Sequence, residues 1–312
     1  MTAYAYFEGR FVPLAEAKIS IRTHALHYGT GCFEGIRGYW NPDDEEIYLF
    51  RMLDHYLRLE RSGKILGIKL PHTPQELCEI TVELIRRNRH REDVYVRPIA
   101  YKASEAIGVR MHDLEDGFAI FTAPFGKYLP MEKGVRCCVS SYRRVDDNAI
   151  PARAKVTGIY VNSALAKTEA QLNGFDEAIM LTHEGHVSEG SGENIFLVID
   201  GVLVTPAASE NILPGITRAT VITLAREELG IPTVERQVDR SELYIADECF
   251  LTGTAAEISP VIEIDRRPVG GGTIGPITAR LQELFFQVVR GRHPRYRHWC
   301  TPVYKVPAPT SR

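Results

Sequence analysis

Pro151-Ala-Arg-Ala-Lys-Val-Thr-Gly-Ile-Tyr160 sets Lys155 in a run of small and β-branched residues, and this stretch decides how the rest of the chain is interpreted. A lysine with few polar neighbours can be held neutral and nucleophilic, because desolvation disfavours its charged form. A single lysine is nevertheless far more often a solvated surface group. Its meaning therefore depends on the segments that follow it.

Two downstream segments supply a carboxylate and a helix start. Glu193 lies among glycines in Glu189-Gly-Ser-Gly-Glu-Asn194 and enters an apolar run, where an acidic group needs a positive or hydrogen-bonding partner. Leu213-Pro-Gly-Ile-Thr-Arg218 is typical of a helix entry whose N–H groups can bind a phosphate. Each piece alone has an ordinary explanation, as a hairpin turn or a plain helix start. Together with Lys155 they indicate a pyridoxal 5′-phosphate (PLP) site, with lysine for an imine and carboxylate for a pyridinium nitrogen.

The composition is that of a globular protein. The 312 residues suffice for one large domain or two of ordinary size, and 44% hydrophobic with 25% charged residues is ordinary for a soluble chain. A net charge of -3 provides no global field toward nucleic acid or an anionic membrane. We see no signal peptide and no apolar run of transmembrane length. Six cysteines without a CxxC pair indicate reduced thiols in the cytoplasm, and no metal site is expected.

The first part of the chain carries signals for a helix and two strands. Thr73-Pro-Gln-Glu76 predicts a capping box with proline at the first helical position, and an amphipathic stripe follows over Leu77–Ile85. Val94–Tyr101 alternates like a strand, in which Pro98 indicates an edge or a bulge. Phe118–Thr122 is typical of a buried strand.

The second part begins after Ala123-Pro-Phe-Gly-Lys-Tyr-Leu-Pro130, whose prolines and glycine favour an interdomain linker. Asp200-Gly201 predicts a tight hairpin turn. The remaining predicted elements are helices at Asn162–Asn173, Thr217–Leu229 and Pro276–Val289 and strands at Glu177–Thr182, Ile195–Ile199 and Val202–Thr205. Because strands and helices occur in both halves, often as hairpins, we predict an α+β / α/β fold of two domains. The predicted small domain is 1–122, the linker 123–136 and the large domain 137–312.

Three further motifs suggest binding sites but have simpler structural explanations. Gly270-Gly-Gly-Thr-Ile-Gly275 satisfies GxGxxG, but no acidic residue follows Glu283, so we interpret it as a glycine turn rather than a dinucleotide site. His183-Glu-Gly-His186 has a spacing of three and lies between strand-like runs, which favours a hairpin loop over a zinc helix. The basic cluster Arg86–Arg91 is explained by its place at the end of a helix.

In combination, the segments resemble the branched-chain amino-acid aminotransferases of the fold-type IV PLP enzymes. The resemblance covers nearly the whole chain and rests on His27–Arg37, Tyr95-Val-Arg-Pro98, Ala154-Lys155, Ser188–Phe196, Leu213–Arg218 and Gly253-Thr-Ala-Ala-Glu-Ile258. It implies a two-domain, D-amino-acid aminotransferase-like fold and a homodimer or multiple of dimers. It also implies transfer of the amino group of L-leucine, L-isoleucine or L-valine to 2-oxoglutarate.

The resemblance further implies a role for each site residue. Lys155 would be the catalytic Schiff-base lysine and proton shuttle, Glu193 would pair with the pyridine nitrogen, and Arg97 would meet the distal carboxylate of glutamate. The implied cofactor-binding residues are Arg58, Lys155, Tyr160, Glu193, Ile216, Thr217 and Thr254, with Arg58 at the phosphate and Tyr160 at the phenolic oxygen. The implied substrate-binding residues are Tyr28, Phe33, Gly35, Tyr95, Arg97, Phe125, Tyr128, Thr254, Ala255 and Ala256.

The chain departs from the family pattern directly after the lysine, where many relatives carry Ala-Gly-Gly-Asn-Tyr and this chain has Val156-Thr-Gly-Ile-Tyr160. The lysine-to-tyrosine spacing is kept, so the departure bears on substrate range rather than reaction type. The alternative within the fold is a D-amino-acid or (R)-amine transaminase, and a lyase acting on aminodeoxychorismate is a further relative. From other classes, a dehydrogenase built around Gly270–Gly275 and a catalytically silent binding protein remain to be distinguished.

Overall fold

A computed structural model describes residues 3–126 and 128–305 of the chain. Its strands, in chain order, are β1 Tyr4–Phe7, β2 Arg10–Pro13, β3 Gly31–Phe33, β4 Ile36–Asn41, β5 Glu46–Phe50, β6 Val94–Lys102, β7 Asp116–Pro124, β8 Val135–Arg143, β9 Glu177–Leu181, β10 Val187–Gly190, β11 Asn194–Ile199, β12 Val202–Pro206, β13 Thr233–Arg236, β14 Glu248–Gly253, β15 Glu257–Ile264, β16 Arg267–Pro268 and β17 Cys300–Pro302. Its α-helices are α1 His24–Tyr28, α2 Met52–Leu66, α3 Pro74–Asn88, α4 Tyr160–Leu172, α5 Ile216–Glu227 and α6 Pro276–Val289. Short 3-10 turns lie at Leu14–Glu16, Arg240–Tyr244 and Pro294–Trp299.

The chain forms two compact units. Unit 1 comprises Met1–Gly126, Ala154–Gly158 and Gln287–Arg312, and unit 2 comprises Lys127–Arg153 and Ile159–Phe286. This division differs from the predicted one, which assigns all residues from 137 to 312 to the large domain. The C-terminal residues group with unit 1 because β17 adds to the edge of its sheet. The predicted linker 123–136 also extends into β7 and β8 at its two ends, and Lys127 within it lies outside the described residues.

Unit 1 is an antiparallel sheet with two amphipathic helices. The strand order is β17-β5-β4-β6-β7-β1-β2, and β3 pairs with β6 beside β4. The apolar faces of α2 and α3 share one core with the sheet, and its members include Tyr56, Leu59, Leu77, Leu84, Ile36, Val94 and Val96. Full burial of each such side chain contributes about 1.5–3 kcal/mol, which explains why the amphipathic pattern of α3 predicts its packing.

The position of Pro98 in β6 corrects one prediction. The strand is not at an edge, because β4 and β3 pair with one side of it and β7 with the other. The Pro98 carbonyl faces the interruption between β3 and β4, where it accepts a hydrogen bond from the Glu34 N–H at 2.9 Å. The proline nitrogen lies on that same side of the strand, so its missing N–H removes no ladder bond.

Unit 2 is a mixed sheet in the order β10-β9-β8-β15-β14-β11-β12-β13, with β16 added to β15. The pairs β8–β9, β8–β15 and β12–β13 are parallel, and the other pairs are antiparallel. Ala166 and Ala170 of α4 pack on Cys138, Ala178 and Met180, where only small side chains on the helix permit close approach. The predicted strands and helices of this part are confirmed to within a few residues at each end.

Two turns of unit 2 bear out their sequence signals. Asp200 and Gly201 both have positive φ, 51° and 75°, as the hairpin turn between β11 and β12 requires. Gly270–Gly275 leads from β16 to α6, and the Glu248 carboxylate accepts hydrogen bonds from the N–H groups of Ile277 and Thr278 at 2.9 and 2.8 Å. A carboxylate therefore already occupies this helix start, which argues against a dinucleotide phosphate there.

No α-helix in residues 3–126 and 128–305 is long and apolar enough to cross a membrane. The pair His183 and His186 lies in the loop between the antiparallel strands β9 and β10, as predicted.

Replacing Thr73 by alanine tests the capping box of α3. The Thr73 hydroxyl accepts from the Glu76 N–H at 3.3 Å, and the Glu76 carboxylate accepts from the Thr73 N–H at 2.8 Å. We expect Thr73→Ala to lower the free energy of unfolding by about 1 kcal/mol, measured by urea denaturation. Gln75→Ala, an exposed change in the same helical turn, serves as the control. Equal stability of the two variants would contradict the assignment.

Candidate active site

The main chain of Lys155 is tied to β3 within unit 1. The Lys155 carbonyl accepts from the Phe33 N–H at 3.1 Å, and the Lys155 N–H donates to the Ser62 hydroxyl of α2 at 3.2 Å. The segment continues along the same strand, since the Thr157 N–H donates to the Gly31 carbonyl at 2.8 Å. These bonds fix where the lysine side chain begins.

The Phe33 ring contacts both a lysine and an arginine. The Lys155 Nζ is 5.0 Å from the ring centroid, and the Arg97 guanidinium carbon is 4.4 Å from it. Phe33 is buried and Lys155 half-buried. An amine and a guanidinium thus share one apolar aromatic surface.

The other predicted substrate residues of unit 1 extend this cluster. Arg97 donates from Nη2 to the Tyr95 hydroxyl at 3.0 Å, and the Tyr95 and Phe125 rings are 4.9 Å apart. Gly35 is required at its position, because a Cβ there would lie 1.9 Å from the Tyr95 hydroxyl oxygen. The Arg97 Nε is buried without a hydrogen-bond partner, so an incoming oxygen would satisfy it.

Arg58, predicted to reach the phosphate, lies in a buried ionic cluster on α2. Its Nε and Nη2 donate to the two oxygens of Glu34 at 2.7 and 2.9 Å, and the His55 Nδ1 is 2.7 Å from the second oxygen. Although burial alone would raise it, the Arg58 guanidinium and the His55 contact hold the pKa of Glu34 well below its usual range. Burial lowers the pKa of His55, against the attraction of Glu34.

Tyr28 packs on a different part of unit 1. Its hydroxyl accepts from the Gly108 N–H at 3.0 Å, and its ring contacts His24 and His27. These contacts place the tyrosine against the loop that carries Gly108. Its predicted place beside the substrate therefore stays a prediction.

Glu193, which precedes β11 in unit 2, is a buried carboxylate. It is 4% exposed, and its Oε2 accepts from the Gly192 N–H at 3.0 Å. Burial, reinforced by the negative charge of Glu177, raises the pKa of Glu193 to about 8. No ion pair to Glu193 occurs among residues 3–126 and 128–305, so the group is suited to receive a cation.

The start of α5, with Ile216 and Thr217 as its first residues, is held beside Glu193 by Asn194. The Asn194 amide donates to the Leu213 carbonyl at 2.9 Å and to Glu189 at 3.0 Å, and its side-chain oxygen would lie 2.0 Å from a Cβ at Gly215. Gly215 is the N-cap and provides no side-chain cap. The backbone N–H groups of this turn can therefore serve an anionic ligand.

The turn Thr254–Ala256 lies near Glu193 in the same unit. A Cβ at Gly253, the last residue of β14, would be 3.7 Å from the Glu193 Cγ. The Ser259 hydroxyl donates to the Ala256 carbonyl at 2.7 Å and fixes the turn. Thr254 and Ala255 are half-buried and Ala256 is buried.

Two predicted tyrosines also belong to unit 2. Tyr160 is the first residue of α4 and is half-buried. Tyr128 is 47% exposed, and the Lys167 Nζ of α4 is 5.6 Å from its ring centroid. Unit 2 thus brings Glu193, the α5 start and the Thr254–Ala256 turn together, whereas the place of Tyr160 and Tyr128 beside that group stays a prediction.

Sequence reasoning missed the residues that orient the predicted ones. Glu34 lies between Phe33 and Gly35, and Asn194 follows Glu193, so both were inside quoted motifs without a role. The available signal was a charged or polar residue next to apolar ones, which must find a partner when buried. His55 and Ser62 carry no such signal, because their role depends on the face of α2 that packs on β3.

Comparison with known proteins places the chain in a family. The family model described as amino-transferase class IV matches residues 31–264. A probable branched-chain-amino-acid aminotransferase of Aquifex aeolicus (strain VF5) is 54% identical over 301 residues, which is 96% of this chain and 97% of the relative.

Solved structures of branched-chain aminotransferases are also similar to this chain. The branched-chain aminotransferase of Thermoproteus uzoniensis, solved with norvaline, has a TM-score of 0.93 and 49% identity over 97% of this chain and 100% of its own. A T.th. branched-chain amino acid aminotransferase, complexed with N-(5'-phosphopyridoxyl)-L-glutamate, has a TM-score of 0.92 and 44% identity over 97% of this chain and 99% of its own.

The chain belongs to the class IV aminotransferases. Among them it is similar to the branched-chain-amino-acid aminotransferases, so the family, fold class and enzyme class predicted from the sequence are confirmed. Class IV aminotransferases use PLP, which confirms the cofactor prediction.

The residues present fit PLP. Glu193 is a buried carboxylate that forms no ion pair among the described residues, which suits a pyridinium partner, and the α5 start has no side-chain cap. Lys155 provides an amine beside an aromatic ring. The lysine amine therefore suits the aldehyde of PLP, the buried carboxylate suits its pyridine nitrogen, and the start of α5 suits its phosphate.

Replacing Glu193 by glutamine tests the burial of its carboxylate. Because the folded-state pKa of about 8 exceeds the ordinary value of 4.5, this group favours folding below 4.5, and that contribution is lost as pH rises through 8. We expect the cofactor-free protein to lose on the order of 3 kcal/mol from this group between pH 5 and pH 8. Glu193→Gln should remove that part of the loss, measured by urea unfolding at both values.

The control for this change is Glu79→Gln, which alters an exposed glutamate of α3. It should leave the pH dependence of unfolding as in the wild type. If Glu193→Gln changed stability equally at pH 5 and pH 8, the carboxylate would not be protonated in the folded cofactor-free protein.

Proposed function

We propose that this chain is a PLP-dependent transaminase that moves the amino group of L-leucine, L-isoleucine or L-valine to 2-oxoglutarate, giving branched 2-oxo acids and L-glutamate. The observation that carries the proposal is the Phe33 ring, with Lys155 Nζ 5.0 Å and the Arg97 guanidinium 4.4 Å from its centroid. An aliphatic side chain can pack on that ring, and a carboxylate can pair with that guanidinium. One solved relative carries norvaline, which has an aliphatic side chain, and another carries phosphopyridoxyl-glutamate, which has an acidic one. These ligands support a site that accepts both kinds of side chain.

Each half of the reaction needs a proton moved at the substrate. When bound, PLP supplies a conjugated, electron-withdrawing ring next to the Cα of the amino acid. Lys155 would hold the cofactor through Nζ until the amine of the substrate takes its place. The lysine amine freed in this way would take the proton from Cα as a base and later return one as an acid. The main-chain bonds to Phe33 and Ser62 keep the origin of that side chain fixed during both transfers.

Unit 2 residues would bind the polar ends of the cofactor and the substrate. Glu193 would stabilise the protonated pyridine nitrogen, because a buried carboxylate is ionised most readily beside a cation. The N–H groups of Ile216, Thr217 and Thr254, with Arg58 of unit 1, would hold the phosphate. Tyr160 would donate to the phenolic oxygen, and the turn from Thr254 through Ala255 and Ala256 would hold the α-carboxylate of the substrate.

Substrate selection would rest mainly on unit 1, to which Tyr128 of unit 2 is proposed to add. The rings of Phe33, Tyr95 and Phe125 would exclude water from an aliphatic chain, and Tyr28 and Tyr128 are proposed to add to the same wall. Arg97 would meet the distal carboxylate of glutamate, since a guanidinium offers a planar fork and Arg97 Nε is buried without a partner. One site could thus accept an apolar and an acidic side chain in turn.

We also propose a homodimer, or a multiple of dimers, in the cytoplasm. Unit 1 carries strongly exposed apolar residues on two segments, with Ile21 at 81%, Ile107 at 97% and Val109 at 80% exposed. The segments are joined by bonds from the His24 N–H to the Ser104 carbonyl and between His24 Nε2 and the Gly108 carbonyl. A second copy covering them would remove that apolar surface from water. The six cysteines are free thiols, which supports a reducing compartment.

Replacing Lys155 by alanine tests the central assignment. We expect Lys155→Ala to abolish transamination and the visible absorption band of the bound cofactor, because both need the lysine amine. Lys64→Ala, at an exposed site of α2, should keep the band and the activity. Half-reaction spectra with L-leucine and with D-amino acids measure both. Substantial turnover in Lys155→Ala would remove the assignment, and a preference for D-amino acids would favour the alternative transaminase.

Replacing Arg97 by alanine tests the dual-substrate site. We expect kcat/KM for glutamate and 2-oxoglutarate to fall roughly 10- to 100-fold, as the loss of a charged hydrogen bond predicts, with leucine and valine affected much less. Arg97→Lys keeps the charge without the fork and should lie between wild type and alanine for the acidic substrates. Equal losses on both classes of substrate would show that the guanidinium has another role.

A further inference from the structure

Glu34 is a fully buried carboxylate between two residues predicted to bind substrate, Phe33 and Gly35. Its side chain bonds to α2. The Oε1 accepts from Arg58 Nε at 2.7 Å, and the Oε2 accepts from Arg58 Nη2 at 2.9 Å. Two parallel bonds of this kind fix both the position and the plane of a guanidinium.

The carboxylate is itself held from several sides. His55 Nδ1, on a side chain 2% exposed, is 2.7 Å from Oε2, and the Gly35 N–H donates to the same oxygen at 3.3 Å. The Glu34 N–H donates to the Pro98 carbonyl at 2.9 Å. The position of Arg58 is therefore set by β6 and by the Phe33–Gly35 segment, as well as by its own helix.

Stability alone gives little reason for such a pair. Desolvating two charges offsets most of their attraction, and well-packed apolar residues often replace a buried ion pair without loss. When a carboxylate binds one edge of a guanidinium through two parallel hydrogen bonds, however, it restricts the orientation in which that guanidinium can bind a second anion. The cofactor phosphate is such an anion in the proposed function.

We propose that Glu34 is a positioning residue that orients Arg58 toward the phosphate of the cofactor. The proposal rests on the proposed function, in which Arg58 binds that phosphate. Glu34 acts through Arg58 and does not itself touch the substrate. The alternative is a purely structural ion pair that stabilises unit 1.

The test measures the phosphate advantage, which is the ratio of the Kd of pyridoxamine to the Kd of pyridoxamine 5′-phosphate. Both probes bind without a covalent bond to lysine and differ only in the phosphate. We expect Glu34→Gln to lower the ratio by about tenfold in calorimetric titrations of the full-length cofactor-free chain, with the Kd of pyridoxamine nearly unchanged. Glu34→Asp keeps the charge, but its shorter side chain moves the carboxylate away from the two nitrogens of Arg58, so it should lower the ratio as well. This variant replaces Glu34→Gln if that one does not fold.

A double-variant cycle separates positioning from stability. Arg58→Lys alone should lower the phosphate advantage, and adding Glu34→Gln to it should lower the ratio no further. Tyr56→Phe, which removes the buried hydrogen bond to Thr81 on the neighbouring helix α3, provides a destabilised control with the ratio of the wild type. Glu83→Gln controls for loss of an exposed ion pair, the one to Arg87.

The outcomes divide clearly. A wild-type ratio in folded Glu34→Gln or Glu34→Asp, or an equal weakening of both probes, would overturn the positioning role while leaving the proposed function intact. If Arg58→Lys left the ratio unchanged, or if the wild-type chain had no phosphate advantage, the proposed phosphate role of Arg58 would fail instead.

Discussion

The main-chain pairing of the Lys155 segment with β3 is the constraint on which the candidate site depends. Residues 154–158 belong to unit 1, although the chain on both sides of them belongs to unit 2. The bond from the Phe33 N–H to the Lys155 carbonyl joins positions more than a hundred residues apart in the chain. Backbone groups make several of these bonds, and the hydroxyls of Ser62 and Thr157 add to them. The segment Val156-Thr-Gly-Ile159, which departs from the family pattern, is therefore itself bonded to unit 1 through Thr157.

The two units contribute opposite electrostatic features to the proposed chemistry. Unit 1 provides basic groups next to an aromatic ring, with Lys155 and Arg97 against Phe33. Unit 2 provides a buried carboxylate, Glu193, and backbone N–H groups at the start of α5. In each unit a second residue holds a group of the proposed site, since Tyr95 bonds Arg97 and Asn194 bonds the main chain before α5. Such support is what keeps charged groups oriented in a partly dry environment.

Much of this could be predicted from the sequence. Periodicity and capping signals located α3 and α6, because those signals act within one helix. The resemblance named the family, and the glycine near Phe33 was already in a quoted motif. The roles of the individual site residues and the homodimer remain predictions or proposals.

The differences between the sequence predictions and the structure have physical causes. Pro98 suggested an edge or a bulge because proline lacks an N–H, and no local signal reveals that the strand lies inside the sheet, opposite the interruption between β3 and β4. The return of the C-terminal residues to unit 1 depends on β17 pairing with β5, a contact between positions about 250 apart. Glu34 and His55 were missed for the same reason, since a buried charge identifies its partner only after distant elements pack.

The close approach of Tyr95 to Gly35 has a consequence for how substrate range can change. The tyrosine hydroxyl lies 1.9 Å from the position that a Cβ at Gly35 would take, so the ring packs directly on main chain. A glycine has no side chain to shorten, and any atom added there would displace the ring. In the proposed substrate site, a change of volume would therefore have to come from the aromatic residues around Gly35 and not from Gly35 itself.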